Sequence, residues 1–152
     1  MFKHLLLAVD GSRLAQNAAQ HGIELAKALG AKVTALMVTV PWETQFAREV
    51  AVVVPEVVVS KDEYDRNKGS YARSVLQLTA EAAGIAGVPC SVQHASHSRP
   101  YHAIIETATA RDCDLIVMGA HGHRGIAGLL LGSETAKVFS HSTICVLVHR
   151  QP

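Results

Sequence analysis

Five of the eleven glycines in this 152-residue chain fall between residues 119 and 132, in the run Gly119-Ala120-His121-Gly122-His123-Arg124-Gly125-Ile126-Ala127-Gly128-Leu129-Leu130-Leu131-Gly132-Ser133. Glycine at that density lets a backbone come close to a bulky anion and take left-handed conformations. Ser133, where a helix is expected to start, adds a hydroxyl, N–H groups without an intrahelical acceptor and the positive end of a helix dipole. The chemistry that needs this combination is the cradling of a phosphate. A plainer reading, a flexible crossover, stays open beside it, because glycine clusters are common in loops. Two named phosphate motifs do not fit. No lysine stands between Gly119 and Ser133, which excludes the P-loop, and Asp10-Gly11-Ser12 is not the G-x-G-x-x-G of a dinucleotide fold.

Asp10 is the next residue able to do chemistry. It ends an apolar run where an open α/β sheet would bind a ligand, although a residue between strand and helix can also simply turn the chain. It has no partner carboxylate in the local sequence. The third strand ends in His94-Ala95-Ser96 and the fifth carries His149, so the aspartate and lysine of a phospho-receiver domain are missing. His121 and His123 form an H-x-H pair that could donate to phosphates or bind a metal. No nucleophile–base pair emerges from spacing, and Ser133 suits an anion donor better than a nucleophile.

These residues need a scaffold, and the apolar pattern supplies one. Leu5 to Val9 is a continuous apolar run, as for a strand buried on both faces. Ser12 fits an N-cap, apolar residues recur at helical spacing from Leu14 to Leu29, and Gly30 supplies the stop. Val33 to Val40 is a second buried strand, closed by Pro41. Within Trp42 to Ser60, the valine-rich stretch from Val50 to Val59 reads as β by propensity, but Pro55 rules out a central strand. That stretch is expected to be an irregular insert covering the sheet or a partner. Ser60-Lys61-Asp62-Glu63 fits a capping box, opening a long helix to about Ala83 that Gly84 and Gly87 end. A third strand follows over Val88 to Ala95, then a helix from His102 to about Arg111 behind Pro100. Leu115 to Met118 is a fourth strand, Ser133 to about His141 a helix, and Ile144 to His149 a fifth strand. The alternation predicts an α/β fold, a single domain over residues 1–152 built on a doubly wound, five-stranded parallel sheet with helices on both faces.

Charge is nearly balanced, with 14 basic and 13 acidic residues and no basic stripe. Neither nucleic acid nor a membrane surface therefore has electrostatic support as a partner. Cys90, Cys113 and Cys145 are odd in number and form no C-x-x-C pair, which suits buried thiols in a reducing compartment. The apolar run before Asp10 is too short for a signal-peptide core or a membrane span. The cytoplasm is the expected location.

Gly119-x2-Gly122-x9-Gly132-Ser133 matches the G-x2-G-x9-G-[S/T] signature of the universal stress protein family, in its strand-to-helix setting. The chain also resembles that family in Leu7-Ala8-Val9-Asp10-Gly11-Ser12, in Asp114-Leu115-Ile116-Val117-Met118-Gly119 and in Val146-Leu147-Val148, and throughout except for the Trp42 to Ser60 insert. The resemblance implies strand order 3-2-1-4-5 and an adenine nucleotide, ATP or AMP, with or without Mg, in the crevice between strands 1 and 4. It places Ala8, Val9 and Asp10 beside adenine and ribose, and Val38 in the wall of the adenine pocket. Met118, Gly119, Gly122, Gly132 and Ser133 would line ribose and phosphates, with His121 as a further contact. Glu134 departs from the small or apolar residue of many nucleotide-binding members. Its carboxylate suits the first turn of a helix but would repel a triphosphate if it pointed inward.

In that strand order, His94 and His97 would stand three strand spacings from strand 4, roughly 14 Å at about 4.8 Å each. They are too far to complete a site with His121 and His123, which needs three or four ligands, and no metal site is expected. His4, His21, His102 and His141 read as surface or half-buried spacers. Strand 5, with Cys145, Val146, Leu147 and Val148, is apolar on both faces at an expected sheet edge, so antiparallel pairing with its twin would give a homodimer. The implied function is a cytoplasmic, nucleotide-binding regulator of stress responses rather than an enzyme. A protein-interaction module without nucleotide and a weak ATPase are the alternatives.

Overall fold

The computed structural model describes residues 1–50, 60–121 and 131–151. Its elements run β1 (His4–Ala8), α1 (Arg13–Leu29), β2 (Lys32–Thr39), α2 (Trp42–Val50), α3 (Lys61–Ala86), β3 (Cys90–Ser96), α4 (Pro100–Ala110), β4 (Leu115–Gly119), α5 (Ser133–His141) and β5 (Cys145–His149). The five strands form one sheet, ordered β3-β2-β1-β4-β5, with every pairing parallel.

β1 is the middle strand, which explains its unbroken apolar sequence. Leu5, Leu6 and Leu7 are all fully buried, because side chains alternate across a sheet that is covered on both faces. Leu5 and Leu7 join Ile23 of α1 and Ala72 and Leu76 of α3 in one core. Leu6 joins Ile104 of α4, Ile116 of β4 and Val138 of α5 in the other. The chain leaves β1 for β2 on one side and reaches β4 on the other, so the carboxyl ends of β1 and β4 flank the topological switch point.

Local signals set the helix ends. The Ser12 hydroxyl accepts the Ala15 N–H at 3.2 Å, and Gly30, at φ 65°, closes α1 in the left-handed conformation. The Ser60 hydroxyl accepts the Glu63 N–H at 3.2 Å at the start of α3, as the capping box predicts.

Several boundaries differ from expectation. The first half of the supposed irregular insert is a helix, α2, because Pro41 opens it as well as closing β2. The Pro41 carbonyl accepts the Thr44 and Gln45 N–H groups at 3.1 and 3.0 Å, and Glu43 favours the first turn. The Lys61 ammonium lies 2.6 Å from Glu43, tying α2 to the start of α3. The valine-rich residues 51–59 lie outside the described residues. α3 continues through Gly84 to Ala86, where the left-handed Gly87 caps it. β3 begins two residues late, at Cys90. α4 starts at Pro100 itself, whose fixed φ and missing N–H suit a first helical position.

His4 is buried rather than a surface spacer. Its Nε2 lies 2.8 Å from the Thr34 hydroxyl, which in turn meets Ser91 at 2.9 Å. Burial, reinforced by nearby Lys32, holds its pKa below the ordinary value. Burial also lowers that of His94, with Arg73 acting in the same direction. The unfolded chain therefore takes up protons below about pH 6.5 that the native state refuses, and stability is lost as pH falls through that value toward the depressed native pKa values. Urea unfolding between about pH 8 and about pH 5 should show that loss, and His4→Gln should reduce it. An unchanged pH dependence in the variant would refute the assignment to His4.

Candidate functional site

A cavity of about 530 Å³ opens at the carboxyl edge of the sheet, at the switch point. β1 supplies Ala8, and Val9 just after it leads into Asp10, whose Oδ1 accepts the Ser12 N–H at 2.8 Å. Asp10 thus turns the chain, and it also lines the cavity. Gly11 follows at φ 83°, under the Tyr71 hydroxyl, which donates to the Asp10 carbonyl at 3.3 Å. β2 contributes Leu36, Met37 and Val38 to the apolar wall.

Met118 and Gly119 of β4 form the facing wall. Gly132 and the start of α5 pack against them: the Gly132 N–H donates to the Ala120 carbonyl at 2.6 Å, and the Thr135 hydroxyl to the Gly119 carbonyl at 2.9 Å. These bonds set the start of α5 directly beside the end of β4. Gly132 is the N-cap, so among the described residues no side chain caps the first turn of α5, and Gly132, Ser133, Glu134 and Thr135 all line the cavity. His121 lines it as well. Gly122 and His123 lie outside the described residues.

Glu134 does not present a bare carboxylate to the cavity. Its Oε2 accepts the Tyr101 N–H at 2.8 Å, in the first turn of α4, and its Oε1 lies 3.3 Å from the Lys137 ammonium. A carboxylate spanning two helix N-termini is stabilised by both dipoles and by the lysine, so its charge serves the scaffold.

Ten of the residues singled out from the sequence therefore surround one space: Ala8, Val9, Asp10, Val38, Met118, Gly119, His121, Gly132, Ser133 and Glu134. Sequence reasoning missed the wall from α2 and α3, where Gln45, Tyr64, Lys68 and Tyr71 line the cavity, and Pro100 and Ile104 of α4. Tyr64 donates to the Val40 carbonyl at 2.9 Å, and the Lys68 ammonium stands 5.4 Å from the centre of its ring. The available signal was the spacing of Tyr64, Lys68 and Tyr71, which puts all three on one helix face. The arrangement offers an apolar slot for a flat group and, at its other end, backbone N–H groups and a hydroxyl for an anion.

β5 is an edge strand, with Cys145 and Leu147 exposed and Val146 and Val148 half-buried. Among the described residues no helix is long and apolar enough to cross a membrane.

The model of the Universal stress protein family matches residues 1–150. The chain belongs to that family. A universal stress protein from Thermus aquaticus, from the 3′ region of the QAH/OAS sulfhydrylase gene, is 33% identical over 150 residues, covering 99% of this chain and 100% of that protein. Universal stress protein YxiE of Bacillus subtilis is 30% identical over 151 residues, covering 99% and 100%. Among solved structures, hypothetical protein MJ0577 superposes with a TM-score of 0.82 at 23% identity, covering 100% of this chain and 98% of that one. A universal stress protein in complex with cAMP gives 0.71 at 25% identity, covering 99% of each. One from Archaeoglobus fulgidus in complex with dAMP gives 0.65 at 16%, covering 99% and 98%. The fold is thus that of the family, an all-parallel sheet in the order 3-2-1-4-5.

Proposed function

We propose that this universal stress protein binds an adenine nucleotide, ATP or AMP, in the crevice between β1 and β4, and acts in the cytoplasm as a regulator of stress responses rather than as a metabolic enzyme. The observation that carries the reading is the convergence of the β1 edge, the β4 edge and the uncapped start of α5 on one cavity. The cAMP complex of a structural relative supports the ligand class. Val38 would flank the base, Ala8, Val9 and Asp10 the base and ribose, and Met118, Gly119, Gly132 and Ser133 the ribose and phosphates. The lining carboxylates Asp10 and Glu134 each accept a backbone N–H and keep further lone pairs, so Mg accompanying a triphosphate would be held by the phosphates with a carboxylate in reach.

Small molecules released by denaturing the purified protein, identified by mass spectrometry, test the reading. It expects an adenine nucleotide; a stoichiometric ligand of another class overturns it.

The β5 edge, unpaired among the described residues, favours a twofold homodimer formed by antiparallel pairing with a second copy. Leu147, 41% exposed at the middle of that strand, would then lie near the axis. Sedimentation should show a dimer for the native chain and a monomer for Leu147→Glu, which sets like charges face to face. A native monomer refutes the pairing.

A further inference from the structure

α4 carries a second cluster of chemistry-bearing side chains. Its residues Pro100 and Ile104 face the cavity, whereas His102 and Glu106, each two positions further on, are turned about 200° away at about 100° per residue. His102 and Glu106 are four apart and so share a helix face. His97, in the connection between β3 and α4, folds back onto them. One ligand atom from each of the three lies within 4.8 Å of the others. His102 Nδ1 is shielded from solvent without a hydrogen-bond partner among the described residues, and it faces Glu106 Oε2 at 3.2 Å. The two imidazoles lie nearly parallel, with ring centres 5.4 Å apart and planes 22° from each other.

We propose that His97, His102 and Glu106 form a binding site for a divalent transition-metal ion, zinc above all. Two imidazoles and one carboxylate are a donor set that suits zinc, whereas calcium and magnesium require oxygen ligands. Bonds of about 2.0–2.1 Å in a tetrahedral site place ligand atoms about 3.4 Å apart. The cluster therefore closes around a metal by shifts of about 1 Å in side chains that are half-buried or exposed. His97 Nδ1 now accepts the Arg99 N–H at 2.9 Å. That hydrogen bond is exposed, so water can take over the Arg99 N–H if the imidazole turns to the metal. Three protein ligands leave the fourth position to water.

The expectation of no metal site considered only partners for the His121–His123 pair across the sheet; this cluster instead arises where one connection meets one helix face. The site lies off the nucleotide cavity and does not depend on it. Another histidine pair, His21 and His149, brings its Nδ1 atoms to 3.0 Å of each other and serves as a control.

Zinc titration of the full chain by calorimetry, with cobalt absorption spectra reporting coordination geometry, tests the proposal. It expects about one metal per chain at micromolar zinc or below, with tetrahedral cobalt bands. His102→Ala and Glu106→Gln should each weaken binding by about tenfold or more, whereas His21→Ala and His121→Ala leave it unchanged. The Glu106 side chain is 62% exposed, so Glu106→Gln leaves the fold intact and keeps the test decisive. No zinc bound at micromolar concentrations overturns the proposal. So does binding undiminished in both cluster variants, or binding that is lost with His21 or His121.

Discussion

Replacing Leu7 by alanine is expected to lower the unfolding free energy by about 3–5 kcal/mol. Leu7 is fully buried in the middle strand, paired with Ala35 of β2 and Val117 of β4, on the face covered by α1 and α3. Truncation removes the burial of an entire isobutyl group and leaves a void that a sheet hydrogen-bonded on both sides cannot easily close. The structure also names the neighbour that depends on this side chain. A Cβ added at Gly22 of α1 would stand 2.5 Å from Leu7 Cδ2 and 3.3 Å from Val117 Cγ1. Gly22→Ala in the native background therefore crowds the core at a cost of about 1–3 kcal/mol, offset by about 1 kcal/mol of helix propensity. With Leu7 already shortened, the main clash disappears and the added methyl partly fills the void. Urea unfolding of the two single variants and the double variant should give a double loss clearly smaller than the sum. Strict additivity would contradict this account of how α1 packs on the sheet.

Gly11→Val carries the second large effect, and it reaches the site. Gly11 sits at φ 83°, where a β-branched residue is strained by about 1–3 kcal/mol. A Cβ there would also fall on the Tyr71 hydroxyl, 2.7 Å from Tyr71 Cζ and 3.1 Å from Val75 Cγ2. Tyr71 must swing away, giving up its hydrogen bond to the Asp10 carbonyl and its place in the cavity wall. The expected result is a loss of about 2–4 kcal/mol in stability together with weakened nucleotide binding. Repeating the substitution in a Tyr71→Ala background separates the two causes. The clash with Tyr71 should vanish, while the backbone strain and the tight contact with Val75 should remain. A Gly11→Val protein as stable as the native chain would refute both.

The fold was legible because every element of the sheet and its covering helices except α2 announced itself locally. The apolar run of β1, the Ser12 and Ser60 caps and the Gly30 stop each reflect a strong short-range cause. The glycine loop was legible for a related reason: glycine at that density is a strong local signal, and Gly119 and Gly132, which bracket it, both line the cavity. α2 was missed because the valines after it dominated the reading, while its own signal was only Pro41 and an acid in the first turn. Tyr64, Lys68 and Tyr71 visibly share a helix face, but only the packing of α3 on the sheet decides that this face overlooks the cavity. Glu134 could be flagged from sequence as a charge near a phosphate site. Its engagement with the Tyr101 N–H required knowing that α4 and α5 begin side by side. His4 was misread because one imidazole in a strand gives no hint of Thr34 on the neighbouring strand, or of Ser91 on the strand beyond it.

Equilibrium dialysis of the nucleotide-stripped protein against ATP and AMP, with Gly119→Val in parallel, tests the central claim most directly. A Cβ at Gly119 would lie 3.2 Å from Leu14 Cγ and 3.3 Å from the His121 carbonyl, so the valine crowds the cavity wall where the end of β4 meets the first turn of α1. The account predicts one adenine nucleotide per native chain and clearly weaker binding by a variant that stays folded by circular dichroism. No binding by the native chain at millimolar nucleotide, or equal binding by the variant, would contradict it and leave an interaction module of the same fold as the better reading.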